Sequence, residues 1–284
     1  MGITVLVLVS ICALAAESFA GFDAIQRRVY APPGGFYVVN IHPHNVSSFT
    51  EGLLFDRGML LESTGLDGQS YIREIDARTG LSTGKEFKFP PDIFGEGITV
   101  LGNTIYALTY QAKKGFAINR DSFKLLRSFD FETNTGEGWG MTTDQTHLIV
   151  SDGSSTIYFF DQKSMAKVRE ITVTNNGQPV ININELEYVR DELFANVWLT
   201  TNILRIDPIS GNVKEVLKME RLQYLESNVE NIRESWRKVD AVMNGIAFNP
   251  ENNHLYVTGK LWDAVFELQV ALASDTPHVR TFDG

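Results

Sequence analysis

Cysteine is almost missing from this chain: its 284 residues contain one, Cys12, and that one lies inside an apolar leader. Removal of the leader leaves no thiol, which excludes disulfides and thiol catalysis from the mature protein. With 43% hydrophobic residues, a domain of this length buries a core that needs no covalent staples. Long apolar runs are missing too. The stretch from Ile3 to Ala16 falls short of the roughly 20 residues needed to cross a bilayer. Glu17 then begins a polar segment, and Ser18-Phe19-Ala20 has the small-x-small pattern of a signal peptidase site. The expectation is a signal peptide over residues 1–20, cleaved after Ala20, although no Lys or Arg precedes the apolar run; an uncleaved anchor is the alternative. The mature chain then follows the secretory route to an extracellular, vacuolar or periplasm-like compartment, with no membrane attachment. Asn45-Val46-Ser47 is the one N-glycosylation sequon.

Concentrated positive charge is also lacking. A net charge of −10 without a basic cluster excludes nucleic acid as a partner, whereas basic peptides are tolerated. Histidine is sparse, and His42, His44, His147, His254 and His278 match no zinc-ligand spacing, so no metal site is assigned to them. Ser63, Ser151, Ser154 and Ser155 stand in no Gly-x-Ser-x-Gly elbow, and Asp152-Gly153-Ser154-Ser155 reads as a hairpin turn. No Pro-, Ser- or Gly-rich linker interrupts residues 21–284, which form one domain, and nothing in them demands more than a monomer.

What the chain does contain is a repeated phrase. Phe49-Thr50-Glu51-Gly52-Leu53, Phe94-Gly95-Glu96-Gly97-Ile98, Gly138-Trp139-Gly140-Met141, Asn184-Glu185-Leu186-Glu187-Tyr188 and Met243-Asn244-Gly245-Ile246-Ala247 each open a unit of strands and turns. From Glu51 to Glu96 is 45 residues, from Glu96 to Trp139 is 43, from Trp139 to Glu185 is 46 and from Glu185 to Asn244 is 59. A period in the forties is that of a four-stranded propeller blade. Tight Asp67-Gly68 and Asp152-Gly153 turns support it, and the charged Lys85–Phe89 and Lys167–Ile171 suit outer strands. The fold read from this pattern is all-β, a five-bladed β-propeller, with residues 35–41 supplying the outer strand of the fifth blade. A helical insertion over about 218–241 precedes that blade: Leu222, Leu225, Val229, Ile232, Trp236 and Val239 recur three or four residues apart. It packs across the propeller or binds a partner.

Propellers turn equivalent blade positions toward a central channel. Glu51, Glu96, Trp139, Glu185 and Asn244 therefore converge near one mouth, with Tyr110, Trp198, Lys260 and Trp262 beyond them. Aromatic walls, several carboxylates and one lysine suit a small polar or cationic group, and carboxylate acid/base chemistry is what remains once triads and zinc are set aside.

The phrases Phe49-Thr50-Glu51-Gly52-Leu53, Glu62-Ser63-Thr64-Gly65-Leu66-Asp67-Gly68, Phe94-Gly95-Glu96-Gly97, Ser151-Asp152-Gly153-Ser154, Asn184-Glu185-Leu186-Glu187-Tyr188, Ala195-Asn196-Val197-Trp198, Asn244-Gly245-Ile246-Ala247 and Val257-Thr258-Gly259-Lys260-Leu261-Trp262 together resemble the plant- and bacterial-type glutaminyl cyclases over about residues 36–270. The resemblance implies a five-bladed propeller that converts the N-terminal glutamine of a peptide or protein into pyroglutamate, releasing ammonia, with no cofactor required and no zinc. It implies Glu96 as the acid/base and Lys260 as the group that stabilises the developing oxyanion. It places Phe49, Phe94, Tyr110, Trp139 and Trp198 in the aromatic walls and Asn184 on a substrate polar group. Two positions depart from the family pattern. Glu51 stands where glutamine is common, and as a carboxylate it either holds the substrate α-ammonium or changes which substrate is accepted; Tyr110 stands where the plant enzymes have tryptophan. Glu185 and Glu187 are read as supports behind the pocket or as ligands of a structural calcium ion. A calcium-dependent lactonase-like hydrolase and a non-catalytic peptide-binding propeller are the competing functions.

Overall fold

Short strands separated by turn residues leave this sequence little choice but antiparallel hairpins. The Arg57-Gly58 turn shows how: both residues have positive φ, 53° and 79°, as a two-residue hairpin needs. A computed structural model of the protein describes residues 35–227 and 241–270. The signal peptide expected over residues 1–20 lies outside them, as do Val229, Ile232, Trp236 and Val239 of the expected insertion.

Five four-stranded antiparallel sheets follow one another. The first blade is β2 (Thr50–Asp56), β3 (Met59–Thr64), β4 (Tyr71–Asp76) and β5 (Leu81–Lys88). The second is β6 (Gly95–Leu101), β7 (Thr104–Thr109), β8 (Lys114–Asn119) and β9 (Leu125–Asp130). The third is β10 (Met141–Thr143), β11 (His147–Ser151), β12 (Thr156–Asp161) and β13 (Lys167–Thr172), followed by a small hairpin, β14 (Thr174–Asn175) and β15 (Gln178–Pro179). The fourth is β16 (Ile183–Val189), β17 (Glu192–Val197), β18 (Asn202–Ile206) and β19 (Val213–Lys218). The fifth is β20 (Met243–Asn249), β21 (His254–Gly259) and β22 (Ala264–Val270), completed on its outside by β1 (Phe36–Pro43) from the other end of the chain, as expected. The main contact unit spans Val38–Gln269; the second, Met1–Tyr37 with Val270–Gly284, lies almost wholly outside the described residues.

Buried apolar faces pack blade against blade, as Leu54, Leu61 and Ile72 do against Ile98, Ile105 and Ile118. The outer strands of the first three blades are exposed along most of their length. The outer strand of the first blade begins at Leu81 rather than Lys85, because a register shift between Arg73 and Ile75 lets pairing resume at Ser82. The insertion contains a short helix, α1 (Glu220–Ser227). Lys218 belongs to β19, paired with Asn202, so the helix starts once that ladder ends. Leu222 of α1 is buried and Leu225 partly so.

One irregularity recurs in every blade. In β2 the register shifts between Thr50 and Gly52, in β6 between Gly95 and Ile98, in β16 between Ile183 and Leu186, and in β20 between Met243 and Ile246. In the third blade Trp139 and Gly140 both bond to Ser151. Each blade thus carries a bulge at its opening phrase, and a bulge frees a side chain from the alternation of the strand and re-aims it.

Candidate active site

The bulges of the first four blades and the β21–β22 turn of the fifth put their residues around one cavity of about 330 Å³. Phe49, Glu51, Phe94, Glu96, Tyr110, Trp139, Asn184, Trp198 and Lys260 all line it, together with Leu66. All nine residues singled out for the site therefore come together. Trp262 does not. It is 1% exposed, its Nε1 donates to Ala241 O at 3.2 Å, and it meets the Phe266 ring edge-on. The turn at Leu261, with φ of 62°, sends Trp262 back beneath Gly259, so that two residues sharing a phrase part company.

Phe94 meets Phe49 edge-on with centroids 6.1 Å apart and lies 5.7 Å from the Tyr110 ring. Opposite, Trp139 and Trp198 meet at 86° with centroids 5.7 Å apart. Small residues make room for these walls. A Cβ on Gly65 would lie 2.3 Å from the Phe94 ring, and one on Gly153, whose φ is +77°, would lie 2.6 Å from the Trp139 indole. Trp139 is aimed by Glu137, which accepts its Nε1–H at 2.9 Å and also accepts from Gln111 Nε2 at 2.9 Å. Asp152 is more than a turn residue: buried, it accepts from Tyr158 Oη at 2.8 Å and Thr135 N at 3.2 Å, clamping the loop that carries Glu137.

Cross-blade hydrogen bonds fix the bulges. Ser63 Oγ donates to Glu96 O, Gly97 N to Trp139 O at 2.8 Å, and Ser151 Oγ to Asn184 O at 2.7 Å. Asn196 Oδ1 accepts from Gly245 N at 2.9 Å. A polar residue at the end of a second strand thus holds the neighbouring blade's bulge, and through it the pocket side chain.

Within the cavity Lys260 Nζ lies 2.7 Å from Glu51 Oε1 and 4.6 Å from the centre of the Phe49 ring, a cation held by a carboxylate and an aromatic face. Asn244 Nδ2 approaches Glu51 Oε2 at 3.4 Å. Burial, then the nearby Glu51 charge and a hydrogen bond to Glu51, push the Glu96 carboxyl well above the usual range, and Lys260 only partly offsets them. Glu96 Oε2 and Asn184 Oδ1 are buried with no hydrogen-bond partner among the described residues. A carboxyl whose burial favours the protonated form and an amide oxygen without a partner, between aromatic walls, can donate to and accept from a bound amide and amine.

Glu185 and Glu187 lie behind the pocket. Glu185 accepts from Ile246 N at 2.8 Å and Leu53 N at 3.3 Å, and burial with the Glu187 charge raises it well above the usual range. Burial pushes Glu187 up to about 8, and it accepts from Phe248 N at 2.9 Å. Among the described residues no three His, Cys, Asp or Glu side chains are grouped to hold a metal ion. His44, half of the His-x-His pair, is instead buried against Glu62, with Nε2 at 2.7 Å from Glu62 Oε1 and Nδ1 at 2.7 Å from Trp262 O.

Leu66, Glu137 and Asp152 escaped the sequence reading of the site. Leu66 follows Gly65 in the turn after β3, but its φ of 80°, which turns it to the cavity, leaves no mark in the sequence.

The glutamine cyclotransferase family matches the chain over residues 6–270. The chain is 36% identical over 238 residues to the glutaminyl-peptide cyclotransferase of Arabidopsis thaliana, an alignment covering 84% of this chain and 72% of that protein. Its fold matches the crystal structure of Myxococcus xanthus glutaminyl cyclase with a TM-score of 0.75 and 30% identity, covering 82% of this chain and 95% of that one.

Proposed function

The chain belongs to the glutamine cyclotransferase family, and on that premise we propose that it converts the N-terminal glutamine of peptides and proteins into pyroglutamate, releasing ammonia, by carboxylate acid/base chemistry without zinc. The observation that carries this reading is Glu96: a buried carboxyl with a raised pKa and an unpartnered Oε2, set between aromatic walls in the one cavity that gathers all nine site residues.

The reaction joins two groups of one residue. The α-nitrogen attacks the γ-carbon, the carbonyl electron pair moves to oxygen, and the C–N bond to the amide nitrogen breaks. The attacking nitrogen must lose a proton and the leaving nitrogen must gain one. Glu96 moves that proton between them, which is worth about 10²–10⁴-fold in rate. Phe94, Trp139 and Trp198 exclude water and hold the side chain in its ring-forming conformer, since orientation supplies much of the acceleration when nucleophile and electrophile are already tethered. Asn184 Oδ1 accepts from the substrate's amide, and the Lys260 ammonium faces the developing oxyanion.

Secretion after cleavage at Ala20 and glycosylation at the exposed Asn45 accompany this proposal. The test is ammonia release from a Gln-initiated dipeptide at neutral pH with a zinc chelator present. Activity that survives chelation supports the reading. No release from the intact protein overturns it, and activity lost on chelation overturns its zinc-free chemistry.

A further inference from the structure

We infer that Glu51 is a second catalytic carboxylate, the base that takes the proton of the substrate's α-ammonium, while Glu96 serves the leaving nitrogen. The inference rests on the cyclisation reading and assigns to a pair what one carboxyl was given above.

Three contacts carry it. Glu51 and Glu96, 1% and 5% exposed, are hydrogen-bonded to each other, and two carboxyl groups can share a hydrogen bond only if one of them is protonated. Lys260 Nζ sits 2.7 Å from Glu51 Oε1 and Asn244 Nδ2 donates toward Glu51 Oε2 at 3.4 Å, so the negative charge belongs on Glu51 and the proton on Glu96. Both residues line the cavity, and Glu96 Oε2 is buried there with no hydrogen-bond partner among the described residues. At rest the site is therefore an ionised base beside a protonated acid, the division that two like charges in one buried site impose. The titratable groups facing Glu51 are Lys260 from the β21–β22 turn and Glu96 from β6. The Glu137 charge acts on Glu96 and on Tyr110, and Glu185 of β16 occupies the same inner ring of bulges.

The substrate enters as an ammonium, the main form of an α-amine whose pKa is about 8. Its arrival puts two cations on Glu51. The α-ammonium, with a pKa of about 8, yields a proton to the Glu51 carboxylate. The freed nitrogen pair then forms the ring C–N bond as the carbonyl pair moves to oxygen. Glu96 gives its proton to the departing nitrogen as the old C–N bond breaks, and recovers one from the ring nitrogen. Ammonia leaves with the proton held by Glu51, as ammonium, and both carboxyls return to their starting states.

The test is the pH dependence of kcat/KM for a Gln-initiated dipeptide in the wild type and in Glu51→Gln. The amide keeps an acceptor for Lys260 Nζ and the shape of the side chain, so the variant retains the pocket, but it cannot take a proton. It must then wait for substrate that is already neutral. Its kcat/KM should rise about tenfold per pH unit up to about pH 8, leaving it about 100-fold below its own plateau at pH 6, while the wild type shows no such rise. A loss of equal size at every pH makes Glu51 only a structural partner of Lys260 and overturns the proposal. So does an unchanged rate and profile. An intact protein with no ammonia release at any pH instead overturns the cyclisation reading, and with it the proposal.

Discussion

The Glu185 carboxyl accepts the amide hydrogen of Ile246 at 2.8 Å, and its other oxygen takes that of Leu53 at 3.3 Å. A residue of the fourth blade thus joins the innermost strands of the fifth and the first, on either side of the place where the ring closes. Glu185→Gln should lower stability by about 1–3 kcal/mol, because its NH₂ turns a donor toward a backbone donor. Urea denaturation reads this as a lower midpoint; an unchanged midpoint contradicts it.

Glu96→Gln removes the acid/base group and retains its size. Turnover should fall by about 10²–10⁴-fold with KM changed far less. Equal activity in the two proteins would leave cyclisation standing and take Glu96 out of its role.

Gly65→Ala places a methyl 2.3 Å from the Phe94 ring and must tilt that wall. Misplacing substrate by about 1 Å can cost about 100-fold in rate, so kcat/KM should fall by up to that factor while the denaturation midpoint moves little. Wild-type kinetics in this variant would show that Phe94 does not orient the substrate.

Acid should remove the stability that the fifth blade draws from Glu267. Burial works against the charge of Glu267, but hydrogen bonds from Asn40, His254 and His42 hold its carboxyl down at about 2, against an ordinary 4.5. A carboxyl lowered in the folded state stabilises it fully above the unfolded value and loses that contribution as pH falls from about 4.5 toward 2. Glu267→Gln should flatten the stability profile across that window. A profile as steep as the wild type's would place the acid sensitivity elsewhere.

The repeat was legible because each opening phrase encodes a bulge. Gly52, Gly97, Gly140 and Gly245 stand at or beside the register shifts, so alignment of the phrases was also alignment of the side chains aimed inward. Glu51, Glu96 and Trp139 could be placed for that reason, whereas Phe49 came from the family resemblance. What spacing alone could not supply was direction within a turn. Trp262 is expected beyond the channel mouth beside Tyr110, Trp198 and Lys260, and only the positive φ of Leu261 reveals that it faces the core. Leu66 was missed by the same kind of backbone reversal. The helix was read from apolar periodicity, which does not register that Lys218 is already held in a ladder with Asn202.

The fifth blade is built from both ends of the chain, with β1 beside β22 and Asn40 bonded to Glu267 across 227 residues of sequence. Contacts so distant come late in folding, because the entropy of closing the loop must be met before they form. Four blades can be completed while the chain is still being synthesised, but Lys260 enters the pocket only when the last blade is docked. Glu51 would until then lack the cation that fixes its charge, so the nascent protein should be catalytically silent and gain activity in the same step that closes its ring.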